Sequence, residues 1–329
     1  MRNVPTVSGE IGADQLGLTL MHEHIFIRTP EIQEAFPGFM GWDDEREIAS
    51  ARERLAGLKR QGVDTIVDMT VPGLGRDVHR ISRAIEGTGL QVILVTGYYT
   101  FADLPFPFKY NGPGKTFDDP EDNILVDLFV NDVLVGIQQT DIKAGALKCC
   151  TDEPGVTEDI DRLIRAVAVA HHRTDAPIIT HTHAPSRRGL DQQRILAEEG
   201  VDLSRVIIGH SNESTDLGYL TTLMDAGSFI GFDRCGLSGV LDLDSQIATL
   251  SELCRLGYAE KIVVSHDRHC GCDWVSEEEV ERALPDWNYS YIQGELLPAI
   301  QERGVTDAQI EQMTSINPRA FFAAEGSKP

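Results

Sequence analysis

Histidine, lysine and aspartate recur along the chain in short motifs that suit metal binding. Five motifs each follow an apolar run: Met21-His22-Glu23-His24, Leu147-Lys148-Cys149, Thr180-His181-Thr182-His183, Gly209-His210-Ser211 and Ser265-His266-Asp267. Imidazole and carboxylate groups bind zinc, cobalt, manganese and iron alike. A single histidine is more often an ordinary polar loop residue, but five such motifs in one chain indicate a metal centre.

Two of the motifs contain a His-x-His pair. Residues i and i+2 of a β-strand point to the same side, so His22 and His24 can bind one ion together. His181 and His183 have the same spacing. Spacing alone therefore allows either of these two histidines to be the ligand.

Lys148 is chemically the odd member of the set. An ammonium group would be repelled by neighbouring metal cations, and its burial without a partner is costly. Three interpretations follow: a structural lysine paired with a carboxylate, a Schiff-base nucleophile as in an aldolase, or a lysine carboxylated by carbon dioxide. Carboxylation would turn the cation into an anion able to bridge two metal ions. Spacing does not choose among the three.

The elements that must position these motifs alternate between strand and helix. Eight strands are predicted: Leu18–Phe26, Thr65–Val71, Gln91–Tyr99, Gly145–Thr151, Pro177–His183, Arg205–Ser211, Ser228–Cys235 and Lys261–His266. Eight βα units in a chain of 329 residues predict an α/β fold, a single-domain (β/α)8 TIM barrel over residues 1–329. An open, doubly wound sheet is less favoured, because no G-x-G-x-x-G follows the first strand. The carboxyl ends of barrel strands meet on one face, so the motifs should converge there.

The charge balance bears on the partners. The chain has 29 Lys and Arg against 52 Asp and Glu, a formal net charge of -23, which argues against nucleic acids and anionic membranes. The N-terminal MRNVPTVSGE lacks the apolar region of a secretory signal, and no run approaches the ~18 apolar residues of a membrane span. We therefore expect a cytoplasmic protein whose six cysteines are reduced thiols.

Taken together, the motifs resemble those of the phosphotriesterase family of the amidohydrolase superfamily, and most closely its phosphotriesterase-like lactonase branch. The likeness extends to Gly231-Phe232-Asp233-Arg234 and Asn317-Pro318 and covers nearly the whole chain. The resemblance implies a binuclear centre in which a carboxylated Lys148 and a hydroxide bridge two divalent metal ions. It implies the following ligands: His22, His24 and Asp267 for the buried ion, and His181 and His210 for the exposed ion. His183 would then not be a ligand.

The resemblance also implies roles in catalysis. Tyr99 would lie beside the bridging hydroxide, Arg234 near the substrate, and Asp267 would accept a proton and pass it to the leaving group. The implied substrates are N-acyl-homoserine lactones or related lactones, as in quorum-quenching enzymes, with a side activity on phosphotriesters. The implied assembly is a homodimer. The alternatives are a dedicated phosphotriesterase or carboxylesterase, a Schiff-base aldolase that uses Lys148, and a binding barrel without catalysis.

Substrate contacts are predicted in two loops. The long loop Thr100–Pro120 is rich in aromatic residues and contains Phe101, and the loop after Asp267 contains His269 and Trp274. An apolar wall there could hold an acyl chain, although Phe106 and Phe108 could equally pack the loop against the barrel. Glu213 departs from the family pattern, because many relatives have aspartate at that position. The loop after Asp267 varies within the family, so substrate preference is less determined than the chemistry.

Overall fold

The chain folds around a ring of parallel strands. The computed structural model describes residues 2–112, 115 and 123–324. Eight strands neighbour one another in chain order: β3 (Thr19–Ile27), β4 (Thr65–Asp68), β5 (Gln91–Gly97), β6 (Ala144–Cys150), β7 (Ile178–His181), β8 (Val206–Ile208), β9 (Phe229–Phe232) and β10 (Ile262–Val264). An antiparallel hairpin, β1 (Asn3–Thr6) and β2 (Gly9–Gly12), precedes them.

The ring closes between its last and first strands. The backbone N–H of Asp267 donates to the carbonyl of His22 (3.0 Å), and the N–H of His22 donates to the Ser265 hydroxyl (2.9 Å). A further short strand, β11 (His269–Cys272), pairs in parallel with β3 beyond this closure. The predicted TIM barrel is thereby confirmed.

Helices surround the barrel. They are α1 (Pro30–Ala35), α2 (Asp44–Arg60), α3 (Val78–Ile85), α4 (Phe106–Tyr110), α5 (Ile124–Leu134), α6 (Glu158–Thr174), α7 (Arg188–Glu198), α8 (Leu217–Asp225), α9 (Leu243–Arg255), α10 (Glu277–Ala283), α11 (Leu297–Glu302), α12 (Asp307–Glu311) and α13 (Asn317–Ala323). Two π-helical turns, Ile292–Leu296 and Gln312–Ile316, lead into α11 and α13. Several helices begin at an Asp or Thr whose side chain accepts a backbone N–H, as Asp43 and Thr157 do for α2 and α6, which fixes where each helix starts.

Apolar side chains fill two layers. The outer layer packs the helices on the strands and includes Leu55, Leu163 and Ile208, all fully buried. The inner layer fills the barrel and includes Val67 and Ile179. The packed interior gives the site a rigid floor.

Several element boundaries were predicted wrongly. The sixth and eighth strands end at Ile208 and Val264, although their apolar runs predicted strand through Ser211 and His266. His210 and Asp267 instead lie in turns with left-handed backbone, at φ 55° and 56°, which ends the strand pairing and re-aims each side chain.

Several short elements were not predicted from the sequence. The hairpin, β11, α1 and α4 were missed, because short elements carry little periodicity. Residues 113–114 and 116–120 of the predicted Thr100–Pro120 loop lie outside the described residues. Within the described part of the chain, no helix is long and apolar enough to cross a membrane.

Candidate metal centre

The six predicted metal ligands lie together at the carboxyl end of the barrel. His22 and His24 project from β3, Lys148 from β6 and His181 from the end of β7. His210 and Asp267 follow β8 and β10 in the left-handed turns described above. All six line one cavity of about 220 Å³. The structure therefore brings the predicted set to one place.

Asp267 lies at the middle of the cluster. Its Oδ1 is 3.2 Å from His24 Nε2 and 3.5 Å from His22 Nε2. Its Oδ2 is 3.8 Å from His210 Nε2. The ligand atoms of His22, His24 and Asp267 all lie within 4.8 Å of one another, so these three side chains can hold one metal ion.

Two imidazoles form the other side of the centre. His210 Nε2 lies 2.8 Å from His181 Nδ1, and the two rings meet edge to face at 4.5 Å between centroids. Two imidazoles whose ring nitrogens face each other can share a proton or a metal ion. His183 is not in this cluster: its Nδ1 contacts the Ser186 hydroxyl at 2.7 Å.

The protonation states of the cluster suit metal binding. Burial lowers the pKa of His22 and His181, and lowers that of His24 to about 3. Burial opposes the ionisation of Asp267, but His210 and Arg234 outweigh it and hold the pKa of Asp267 well below its usual range. Neutral imidazoles beside an ionised carboxylate are the forms that bind metals.

One buried atom tests the fit to a metal ion directly. His22 is 1 % exposed, and its Nε2 has no hydrogen-bond partner among the described residues. A buried polar atom without a partner is costly. An ion held by His22, His24 and Asp267 would supply that partner, so the donor set fits a metal.

Lys148 is fully buried on the floor of the cavity. Its Nζ donates to the carbonyl of Met69 at 2.8 Å and lies 5.3 Å from the centre of the Tyr99 ring. No carboxylate of the described residues forms an ion pair with it, and burial lowers its pKa. The interpretation of Lys148 as a structural lysine in an ion pair is therefore not supported.

Three side chains that the sequence analysis left without a role hold the histidines from behind. Asp233 Oδ1 accepts from both the backbone N–H and the Nδ1 of His210, at 2.7 and 2.8 Å. Asp152 Oδ2 lies 2.8 Å from His181 Nε2, and Thr70 Oγ1 lies 2.7 Å from His24 Nδ1. Metal-binding histidines usually donate their second ring N–H to such groups. This rule could have identified two of the three residues from the sequence, because Asp152 and Asp233 follow the fourth and seventh barrel strands.

Asp233 also belongs to a second possible ligand group, with His22 and His210. Its Oδ2 is 3.2 Å from His22 Nδ1. Its Oδ1 accepts from His210, and its Oδ2 faces Nδ1 of His22, the ring nitrogen opposite the Nε2 that faces Asp267. We therefore interpret Asp233 as the residue that orients the two histidines and not as a ligand.

Glu23 fixes the turn that carries Asp267. This fully buried carboxylate accepts from the Ser265 hydroxyl, from the backbone and ring N–H groups of His266, and from the backbone N–H of Arg268, at 2.8 to 2.9 Å. Asp267 lies in the middle of the segment so held. The middle residue of the His22-Glu23-His24 motif thus positions a ligand that is distant in sequence.

The predicted catalytic residues face the same cavity. Burial raises the pKa of Tyr99, which keeps its hydroxyl protonated and able to donate. Arg234 Nε donates to Asp267 Oδ2 at 2.8 Å, and its Nη1 donates to Glu213 Oε1 at 2.6 Å. Although Glu213 stands where many relatives have aspartate, Asp267, Arg234 and Glu213 form a continuous chain of hydrogen bonds.

The predicted substrate contacts divide into two groups. His269 and Trp274 line the cavity, where the apolar side chains are Ile27, Leu74, Leu237, Val275 and the unpredicted Trp287. Phe101 is 41 % exposed and packs against Tyr99 and His181, with ring centroids 5.1 and 5.5 Å apart; it is not part of the cavity wall.

The other aromatics of the Thr100–Pro120 loop face elsewhere. Phe106 is 70 % exposed and stacks on Tyr110. Phe108 packs against Tyr98. Phe108 therefore packs the loop against its surroundings, which was one of the two hypotheses for these phenylalanines. Neither Phe106 nor Phe108 lines the cavity.

Histidines and a carboxylate gathered at the catalytic end of a TIM barrel define a metal-dependent hydrolase. The chain belongs to the phosphotriesterase family, whose family model matches residues 2–322. The family is binuclear and metal-dependent. This chain shares 50 % identity over 326 residues with a phosphotriesterase homology protein of Mycobacterium tuberculosis, and the alignment covers 99 % of each chain. It shares 36 % identity over 323 residues with an aryldialkylphosphatase of Saccharolobus solfataricus, covering 97 % of this chain and 99 % of the relative.

Solved structures agree with this assignment. The phosphotriesterase from Mycobacterium tuberculosis superposes with a TM-score of 0.96 at 49 % identity, covering 99 % of this chain and 100 % of that one. A structure described as the engineering of organophosphate hydrolysis activity from a weak promiscuous lactonase template superposes with a TM-score of 0.88 at 31 % identity, covering 98 % and 100 %.

Proposed function

We propose that the protein is a lactonase that opens N-acyl-homoserine lactones or related lactones and hydrolyses phosphotriesters more weakly. The observation that carries the proposal is the position of Tyr99 and Arg234. Both line a cavity whose other walls are largely apolar, and Arg234 is hydrogen-bonded to Asp267.

The metal centre would use the six clustered residues. His22, His24 and Asp267 would bind one ion and His181 and His210 the other, with Lys148 between them. We propose zinc, with cobalt, manganese or iron as alternatives. Two divalent ions held by these residues would acidify a bound water and polarise the substrate carbonyl.

We further propose that Lys148 is carboxylated. The neutral Nζ would attack carbon dioxide, a new N–C bond would form, and one proton would leave to solvent, which yields a carbamate anion. Burial favours the neutral amine that this step requires. A carbamate would also place a negative charge beside the metal ions, which attract it.

The chain's own groups would manage charge and protons. Asp267 would take the proton released from the attacking water and pass it to the leaving alkoxide, while Arg234 holds its Oδ2. The Tyr99 hydroxyl would donate to the oxygen on which negative charge develops. In a lactone the leaving group stays attached, so the product is a hydroxy acid.

The cavity wall supports an acylated substrate. Ile27, Leu74, Leu237 and Val275 line it, and each buried methylene of an acyl chain would contribute about 0.8 kcal/mol. A dedicated phosphotriesterase is the second candidate, because one relative is an aryldialkylphosphatase. We also propose a cytoplasmic homodimer; the free cysteines suit a reducing compartment, and the dimer rests on family resemblance.

Kinetics of the wild type and Tyr99→Phe on two substrate classes test the proposal. We expect the wild type to have a much larger kcat/KM on a medium-chain N-acyl-homoserine lactone than on a paraoxon-like triester. Loss of one oxyanion donor costs roughly 10²–10³ in kcat, so Tyr99→Phe should lower lactone hydrolysis strongly. Triester hydrolysis should fall less, because nitrophenolate leaves without a proton donor.

Tyr98→Phe is the matched control. The neighbouring Tyr98 packs against Phe108 and lies outside the cavity wall, so its hydroxyl should not affect either reaction. Better hydrolysis of triesters by the wild type, or an equal loss of both activities in Tyr99→Phe, would rule out the lactonase assignment.

A further inference from the structure

A second and larger pocket lies next to the active-site cavity. Ile27 and Leu74 line the active-site cavity, whereas the residues that follow them, Arg28 and Gly75, line a pocket of about 590 Å³. The N–H of Arg28 donates to the carbonyl of Leu74 at 2.9 Å, so one thin wall separates the two spaces. We call the second space the Arg28 pocket; its principal residues are Arg28, Trp42, Asp44, Arg76, Asp77 and Arg80.

Arg28 has an unusual environment for a buried cation. It is only 9 % exposed, and its Nε is buried without a hydrogen-bond partner. None of its side-chain N–H groups has an acceptor, and no carboxylate pairs with it, among the described residues. Burial lowers its pKa. An arginine that is desolvated in this way normally finds an acceptor.

Four carboxylates among the described residues line the pocket. Glu34 is exposed, and Asp43 accepts a backbone N–H of the first turn of α2. Asp44 accepts from the Nε and Nη2 of Arg80 and from the indole N–H of Trp42. Asp77 accepts from Arg80 and from the first turn of α3. These two carboxylates attract Arg28 at longer range without bonding to it, so the donors of Arg28 remain open.

The geometry of Arg28 restricts how a ligand can approach. Its guanidinium lies over the Trp42 ring, 5.1 Å from the ring centroid, so the ring covers one face and the donors remain in the guanidinium plane. A planar fork of N–H groups matches the two oxygens of a carboxylate. Arg76 on the same pocket wall donates through Nη1 and Nη2 to Val95 and Asp132, and only its buried Nε lacks a partner.

We propose that the Arg28 pocket binds a small organic monocarboxylate, whose carboxylate group lies in the plane of the Arg28 guanidinium. The volume lies in the ~300–1,000 Å³ range of small-molecule sites, which is more than an inorganic ion fills. The four carboxylates that line the pocket favour a ligand with a single negative charge over a phosphate dianion, because each added charge meets their repulsion. The residues that line the Arg28 pocket include none of the proposed metal ligands.

Tryptophan fluorescence of the metal-loaded protein tests the site. Butyrate or benzoate, titrated at constant ionic strength, should give a saturable change that Trp42→Phe removes. Arg28→Met should raise the Kd at least ~10-fold. Arg28→Lys keeps the charge but loses the fork, so it should also bind more weakly and serves if Arg28→Met does not fold. Arg60→Met removes an exposed charge from α2 and should leave the Kd unchanged.

Three outcomes would overturn the proposal. The first is the absence of a saturable change in the wild type. The second is a change that persists in Arg28→Met and Trp42→Phe, which would report carboxylate in the metal centre through Trp274 or Trp287, both in that cavity wall. The third is binding of inorganic phosphate as tight as that of butyrate, which would contradict the preference for one negative charge.

Discussion

Substitution of Asp233 by asparagine should weaken metal binding, although Asp233 is not a proposed ligand. Asp233 Oδ1 accepts two N–H groups of His210, and Oδ2 lies 3.2 Å from His22 Nδ1. His210 and His22 hold the pKa of Asp233 below its usual range, although burial opposes this. The carboxylate is therefore ionised at every pH at which the enzyme would work.

The expected magnitude follows from these contacts. If the asparagine oxygen faces His210, its NH₂ group faces His22 Nδ1, and a ring N–H there would then meet a second donor. Each hydrogen bond to a charged group contributes about 1.5–3 kcal/mol. Loss of the charge should weaken metal binding roughly 10–100-fold, the usual effect of removing such a supporting carboxylate.

Chelator competition measures this effect as the metal Kd of the wild type and of Asp233→Asn. Asp159→Asn is the matched control: Asp159 is also buried and accepts the backbone N–H of Leu104 at 2.9 Å, and it is not among the residues that line the active-site cavity. A wild-type metal Kd in Asp233→Asn, or an equal weakening in Asp159→Asn, would refute the orienting role of Asp233.

Two further predictions concern charge in the centre. Lys148→Ala should nearly abolish hydrolysis, and a short carboxylic acid should partly restore it by supplying an anion. Lys148→Arg should be inactive, because guanidinium stays cationic. Near-normal activity in Lys148→Arg would exclude the carbamate. Below pH ~6.5 the unfolded chain binds a proton on His24, whereas the folded chain does so only near its lowered pKa of about 3. The free energy of unfolding of the metal-free protein, measured in urea, should thus fall as pH drops from 6.5 towards 3, by about 1.4 kcal/mol per pH unit for each such histidine. A pH-independent value, or an unchanged slope in His24→Asn, would contradict this.

The fold was predictable from the sequence because apolar strands and amphipathic helices alternate regularly along the whole chain. Continuous apolar runs such as Val206-Ile207-Ile208 mark strands buried on both faces, and their alternation with helices allows few other architectures. The clustering of the metal-binding motifs followed from one rule, that barrel strands end at a common face.

The remaining features depend on geometry that a single sequence does not encode locally. The left-handed turns at His210 and Asp267 do not interrupt the apolar runs before them, so the strands were predicted too long. The roles of Asp233 and Glu23 depend on which distant N–H groups surround each carboxylate. The open donors of Arg28 become evident only once Asp44 is seen to be bonded to Arg80.

Metal content per chain is the most direct test of the proposed centre. Elemental mass spectrometry of active protein purified without chelators should find two divalent ions per chain, and prolonged chelation should remove both ions together with the hydrolase activity. A fully active preparation that holds no more than one ion per chain would contradict the binuclear site built from His22, His24, Lys148, His181, His210 and Asp267.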